Sequence, residues 1–351
     1  MIKGIFFKFV VGKESVVFEF LQLSERFFNC VRYFFTLLLI CLLVGCSTYD
    51  SAVSSHPPSP KTPYPIKMSD ACGLEINLAK KPDRIVIQSQ WEKEFIEEIG
   101  GTGEYILFEG KGIGGADHET ERRIAAELKP DLVIIMSQGY LLEGDCKNAR
   151  YLLSLGIHTY VSDQSTLKKI TDEMITIGNI MNHQSEASRI SEQLRSTVEL
   201  VEKAVAPLQR KTVYWEHNIS IEFGEIKQYY ALGPITLEDE MLKLAGGNNI
   251  TRNDSRLNPY NIPIKPDDII MANPSHILIS GHLEKQSAGL YKKIQERPEW
   301  NNLNAVKQKQ VLELPILFGS VSSLRNDLIM LVEFFHPELR GNVSLYSKQE
   351  G

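Results

Sequence analysis

The sequence has no G-x-S-x-G elbow, no H-E-x-x-H helix and no cysteine with a plausible histidine partner. The nucleophile–base sets of the common hydrolases are therefore missing. It has no C-x-x-C and no His-rich loop, and its 8 histidines are scattered. A bare Zn²⁺ or Mn²⁺ site needs several N, S or carboxylate ligands converging on one point. Such a site is disfavoured, though scattered histidines can still meet in a fold. Basic charge is in deficit, with 38 Lys and Arg against 44 Asp and Glu. That balance argues against nucleic acid and against polybasic attraction to anionic lipid. The apolar stretch from Tyr33 to Val44 is too short to span ~30 Å of hydrocarbon, which takes ~20 residues.

That stretch reads instead as an export signal: Arg32, a short apolar core, then small residues before a cysteine. Its ending, Leu43-Val44-Gly45-Cys46, resembles a bacterial lipobox, in which Cys46 would carry the lipid anchor and become the mature N-terminus. Residues 1–30 make an unusual leader, most simply explained by translation from Val31. Residues 1–45 hold five basic and three acidic side chains, so the net charge of −6 falls to −8 without them. Residues 46–66 carry Pro57, Pro58, Pro60, Pro63 and Pro65 among Ser and Thr, the composition of a semi-rigid tether. Roughly 285 residues follow, enough for two domains. Cys72 and Cys146 are the remaining thiols; sequence leaves open whether they pair or stay free, because it does not give their separation.

The folded part repeats itself. Arg84-Ile85-Val86-Ile87 leads into Phe95-Ile96-Glu97-Glu98-Ile99 and stops at Gly100-Gly101; Ile124–Leu128 then breaks at Pro130 before Leu132-Val133-Ile134-Ile135. Further on, Thr212-Val213-Tyr214-Trp215 precedes Met241–Ala245 and Gly246-Gly247; Ile269–Ala272 breaks at Pro274 before Ile277-Leu278-Ile279. Alternating strand-like and helix-like segments predict an α/β protein of two Rossmann-like lobes with mainly parallel sheets. The lobes are expected at 67–183 and 207–341, with a polar tail at 342–351. Between them Ile190, Leu194, Val198, Val201 and Val205 form an apolar stripe on one helical face. The spacing predicts one connecting helix over 184–206, a stiff strut beside a cleft between the lobes.

Gly110-Lys111-Gly112-Ile113-Gly114-Gly115 has the G-x-G-x-x-G spacing of a dinucleotide loop. The strand that follows ends in Met136-Ser137-Gln138 with no acid for a ribose, and an exported protein meets little dinucleotide. A Gly-rich loop over the cleft is the better reading. Open α/β sheets bind ligands at the C-terminal ends of their strands. Those positions, with Tyr230 on a nearby strand, nominate Gln90, Trp91, Tyr140, Trp215, His217, Tyr230, His282, Phe318 and Arg325 as ligand-binding residues. Aromatics with a few His, Tyr and Arg suit a large, partly apolar ligand with polar or metal-bearing parts.

These residues and motifs together resemble the class III substrate-binding proteins of bacterial ABC importers, which carry iron–siderophore complexes, haem, cobalamin and related chelates. The resemblance rests on Pro82-Asp83-Arg84-Ile85-Val86, Leu128-Lys129-Pro130-Asp131-Leu132-Val133-Ile134, Leu152–Ile157, Ala245-Gly246-Gly247-Asn248-Asn249-Ile250, Ser323-Leu324-Arg325 and His336-Pro337-Glu338, in that order. It covers about 80–341 and implies a rigid two-lobed receptor, not an enzyme. It further implies work as a monomer with an ABC permease and ATPase, no cofactor beyond the metal chelate itself, and a place outside the cytoplasm. A docking acid is implied seven residues before each repeat's proline. In the second lobe that is Asp267; in the first, Arg123 occupies the position and Glu121 is the nearest candidate. An iron(III)–siderophore is the leading cargo expectation, with haem or cobalamin next. A surface sensor or adhesin of the same fold, or an exported enzyme, are the alternative classes.

Overall fold

Apolar runs of four to six residues become strands sealed on both faces, and the Gly and Pro marks between them become helix ends. The computed structural model describes residues 10–11, 14–15, 64–101, 104–108, 118–222, 225–254, 258–280, 290–314 and 320–341. Cys46, most of the tether, Gly110–Gly115, His282, Phe318 and the 342–351 tail lie outside the described residues. Met1–Lys61 is a unit of its own, in which Val10–Val11 pairs antiparallel with Glu14–Ser15. Among the described residues no helix is long and apolar enough to cross a membrane.

The second unit, Thr62–Gly351, opens with a hairpin that periodicity did not suggest: β1 (Ile66–Ser69) against β2 (Glu75–Leu78). A four-stranded parallel sheet follows, in the order β4-β3-β5-β6, from β3 (Arg84–Ile87), β4 (Glu104–Leu107), β5 (Leu132–Ser137) and β6 (Thr159–Asp163). All six residues of β5 are buried, as its unbroken apolar run requires for a strand covered on both faces. The covering helices are α1 (Gln90–Glu98), α2 (Glu119–Arg123, widening into a π-turn at Ile124–Leu128), α3 (Leu142–Ser154) and α4 (Leu167–Met181). The connecting helix α5 spans Gln184–Val205, within a residue of its predicted bounds, and is roughly 33 Å long.

In the second lobe the sheet is mixed, parallel in most of its pairings but carrying an antiparallel hairpin. The strands are β7 (Lys211–Glu222), β8 (Glu225–Ala231), β9 (Gly247–Asn249), β10 (Ile262–Ile264), β11 (His276–Ser280) and β12 (Val311–Leu314), in the order β10-β8-β7-β11-β12 with β9 also on β7. β7, β9, β11 and β12 pair in parallel; β8 is antiparallel to both β7 and β10. The run Thr212-Val213-Tyr214-Trp215 and the strand of Tyr230 belong to the two arms of one long hairpin. Its outer part sets Ile219 opposite Tyr229 and Ile226 opposite Ile221, with Ile219 and Ile226 half-buried on a second core among polar residues, a period-2 pattern that looks too hydrophilic for a buried strand. Helices α6 (Leu237–Leu244), α7 (Pro266–Ala272), α8 (Leu290–Gln295), α9 (Asn304–Lys307) and α10 (Val321–Phe335) complete the lobe.

The repeated punctuation has a conformational cause. Gly100 and Gly246 both sit at positive φ, +82° and +91°, where α1 and α6 end. Lys129 and Asn273 also turn left-handed, φ 46° and 42°, each directly before the proline that forbids further helix. A Cβ on Gly246 would stand 2.4 Å from His336 Nε2 and 2.9 Å from Val205 Cγ1. Gly246→Ala therefore combines left-handed strain of ~1–2 kcal/mol with overpacking of ~1–3 kcal/mol. Urea unfolding should show the midpoint fall by the corresponding amount; an unchanged midpoint would refute that reading.

One hydrophobic cluster joins the lobes. It runs from Ile85 and Leu132 through Ile170 of α4 and Leu194 of α5 to Trp215 of β7 and Leu328 of α10. Each fully buried Leu or Ile contributes about 1.5–3 kcal/mol relative to exposure, so separating the lobes would open a shared core. The connection is a strut bedded in that core, not a loose hinge.

Candidate functional site: the cleft between the lobes

In the first sheet the chain leaves β3 for β4 on one side and returns to β5 on the other. The C-terminal ends of β3 and β5 thus form a topological switch point, the usual ligand crevice of an open sheet. Here the protein fills it with its own Glu92. That side chain accepts from the backbone N–H groups of Gln88 and of Ser89, the latter at 3.1 Å, and from Met136 N–H at 2.9 Å. Ser89 Oγ in turn accepts from Glu92 N–H, closing a capping box that starts α1. Burial outweighs these donors and pushes the Glu92 carboxyl up to about 7. Ligand space is displaced outward, between the lobes.

There a cavity of about 490 Å³ is lined by Gly139, Tyr140 and Lys169 from the first lobe and Ile235, Thr236 and Lys243 from the second. This volume lies in the range of small-molecule sites. Tyr140, in the turn after β5, meets Tyr260 across the cleft at a ring separation of 5.2 Å. Tyr260 stands edge-on to His217 at 5.3 Å. His217 Nδ1 lies 3.4 Å from Ser280 Oγ, which also accepts from Trp215 Nε1 at 3.0 Å. Tyr260 Oη donates to Glu238 Oε2 at 2.9 Å, and burial pushes that carboxyl up to about 7. Burial, then the charges of Glu238 and Asp145, raise the Tyr140 hydroxyl too. Ile235, on the cavity wall, is 75% exposed at φ +63°, a strained conformation for a β-branched residue.

The lobes clasp one another by exchange of carboxylates. Glu240 of α6 accepts from Leu167 N–H at 2.7 Å, at the start of α4. Glu98 of α1 accepts from Val321 and Ser322 N–H at 2.5 and 2.9 Å, at the start of α10. Each acid sits where a helix has unpaired N–H groups and a positive dipole end. The repeat thereby sends an acid from each lobe's first helix to the other lobe's last.

Of the residues nominated from sequence, the structure joins Tyr140, His217 and Trp215 in one chain of contacts. Trp215 is a correction in part: at 1% exposed it is floor beneath Ser280 and not a wall. Gln90 is exposed and bonds to Glu94 at 3.2 Å. Trp91 is half-buried, 5.8 Å from the ring of Phe95 on the shared core. Tyr230 lies opposite Asn218 and Pro263, with no ring contact to the bridge among the described residues. Arg325 is turned away: α10 packs on α5, and Arg325 Nε donates to Thr197 Oγ1 at 3.0 Å. Glu121 is fully buried beside His118 Nδ1, at 3.4 Å, and so presents no acid to a partner. Asp267 is exposed in the first turn of α7. Cys72 and Cys146 are bonded. Sequence reasoning missed Tyr260, Glu238 and Ile235; Asn258-Pro259-Tyr260 has no periodic neighbour to mark it.

Residues 122–316, more than half of the chain, match the family described as periplasmic binding protein. The uncharacterised ABC transporter substrate-binding lipoprotein YvrC of Bacillus subtilis is 19% identical over 290 residues, 79% of this chain and 87% of that one. The TroA-like periplasmic binding protein FepB from Veillonella parvula shares the fold with a TM-score of 0.61 at 21% identity, over 81% of this chain and 93% of its own. The vitamin B12-binding protein BtuF of Vibrio cholerae does so at 0.58 and 17%, over 74% and 99%. This chain accordingly belongs to the periplasmic binding protein family.

Proposed function

We propose that the cleft captures an iron(III)–siderophore or a closely related metal chelate and delivers it to the permease, with Cys46 as the lipid anchor outside the cytoplasm. Haem and cobalamin are the alternative cargoes. The observation that carries this reading is the inter-lobe cavity walled by Tyr140, whose ring continues into the second lobe through Tyr260 and His217, on a frame of shared core and carboxylate clasps. Preorganised aromatic walls with a few polar anchors suit a bulky, partly apolar chelate. Docking on the permease is assigned to Asp267, with the exposed Glu119 in place of the buried Glu121 in the first lobe.

Titration of the purified protein with a ferric siderophore, haem and cobalamin tests this directly. Trp215 is hydrogen-bonded to the serine that touches His217, so its fluorescence should quench on binding. Tyr260→Ala should weaken that binding at least tenfold, a loss of about 1.4 kcal/mol or more. Absence of any response to all three chelates would overturn the cargo class.

A further inference from the structure

The second lobe holds backbone strain at one point of the cavity wall. Leu232 and Gly233 are buried, as are Thr236 to Asp239, whereas Ile235 between them is 75% exposed. The chain is pinned on both sides of it. Leu232 C=O accepts from Asn249 Nδ2 at 3.0 Å and from Thr251 Oγ1 at 2.6 Å, and Gly233 N–H donates to Pro259 C=O. Gly233 is packed so closely that a Cβ there would stand 2.8 Å from Ile262 Cγ1. Beyond Ile235, Thr236 Oγ1 accepts from Asp239 N–H at 3.1 Å and starts α6. Between these attachments Ile235 is held at φ +63°.

A positive φ directly after a proline is a turn position that Gly or Asn normally takes, and it suits a β-branched side chain worst. Burial of the side chain would offset that cost, yet Ile235 belongs to none of the three hydrophobic clusters of the described residues. For the fold alone an isoleucine here is unfavourable twice, in its backbone and in its hydration. Strain kept in an over-determined segment points to a use.

The place of the side chain says which. Ile235 lines the inter-lobe cavity together with Tyr140 and Leu142 of the first lobe. The charged groups of the same wall are engaged with the protein itself. Lys169 Nζ lies 2.5 Å from Asp163 Oδ2, Lys243 Nζ lies 2.5 Å from Asp239 Oδ2, and Glu240 accepts from Leu167 N–H at 2.7 Å. What the wall offers a ligand without breaking a pair is apolar: Tyr140 and Leu142 on one lobe, Ile235 on the other. Resting on the proposal that the cargo is a metal chelate, we infer that Ile235 determines specificity, as an apolar clamp that grips an uncharged alkyl or aryl arm of the cargo against Tyr140 and Leu142. Covering its exposed surface removes apolar area from water. The pinned segment presents the side chain in place, so little ordering entropy is lost on binding.

The test separates grip from fold. The probes are two neutral ferric complexes of a linear trihydroxamate, its terminal amine acetylated in one and hexanoylated in the other, and the neutral apolar dye N-phenyl-1-naphthylamine, which brightens out of water. Wild type should bind the hexanoylated complex at least about tenfold more tightly than the acetylated one, and should bind dye that this complex displaces. Ile235→Asn, which tolerates a left-handed backbone, should lose most of both, with a urea midpoint at or above that of wild type. Ile235→Leu, apolar but unbranched at Cβ, should keep both. A clearly lower midpoint for Ile235→Asn would assign the residue to the fold and overturn the clamp. So would dye binding and hexanoyl preference unchanged in that variant, or a wild type that binds both complexes equally. If neither complex binds while dye binding depends on Ile235, the chelate reading fails and the clamp stands. If wild type binds neither the complexes nor the dye, both fail.

Discussion

Replacing Arg297 by alanine should destabilise the protein by about 3–5 kcal/mol, the usual cost of stranding one member of a buried ion pair. Arg297 is 8% exposed and Glu216, on β7, is 3% exposed. The guanidinium makes a two-pronged contact, Nη1 to Oε2 at 2.6 Å and Nη2 to Oε1 at 2.9 Å. It also lies over the rings of Trp300 and Tyr229, at 4.5 and 5.1 Å, and Tyr214 Oη donates to the same carboxylate at 3.2 Å. These aromatics form the second core, so removal of the arginine leaves an ionised acid in an apolar cage. Arg297→Lys keeps the charge but loses both the fork and the stacking, and should fall between wild type and alanine. The double variant Arg297→Met with Glu216→Leu should recover most of the loss, because a well-packed apolar pair replaces a buried ionic one at little net cost. Chemical denaturation of the four proteins decides it. An Arg297→Ala midpoint equal to that of wild type would refute the account.

The second large effect concerns Cys72 and Cys146, whose Cα atoms are 5.4 Å apart across a sequence separation of 74. In the chain-entropy picture, opening a loop of that length costs ~4 kcal/mol. The bond ties the turn of the β1–β2 hairpin to α3, beside Asp145 in that helix's first turn. The hairpin keeps a second attachment: Asp70 Oδ1 accepts from Cys72 and Leu74 N–H, at 2.9 and 2.8 Å, and Oδ2 accepts from Val161 N–H at 3.2 Å. Reduction should therefore lower the unfolding midpoint of wild type substantially without melting the hairpin outright. Paired melts with and without reductant measure it, and Cys72→Ala with Cys146→Ala should show no further shift on reduction. Equal wild-type midpoints under both conditions would sink the prediction.

Much of the frame was legible because its signals are local. The stripe Ile190, Leu194, Val198, Val201, Val205 needs only 3.6-residue periodicity, and it marks α5 to within a residue. Gly100, Gly246, Pro130 and Pro274 act on their own backbone, so their positions announce helix ends without knowledge of the fold. The β7–β8 hairpin was only half legible, since its outer part alternates with polar residues and its inner part packs as a parallel sheet would.

The cleft was legible only in outline. Tyr140, His217 and Trp215 could be nominated as strand-end residues, but their partners Tyr260 and Glu238 come from a loop and from a helix start with no chemical signature. Arg325 and Glu121 failed for a related reason: helix phase and packing turn one toward Thr197 and bury the other, and neither is encoded in a motif. By itself the sequence determined the doubled lobe and the stiff connection, because periodicity, glycine and proline work over a few residues. Only the tertiary structure decided which side chains line the cleft. Tyr140 meets Tyr260, Glu98 meets α10 and Glu240 meets α4 through packing of elements distant in sequence, which no local pattern records.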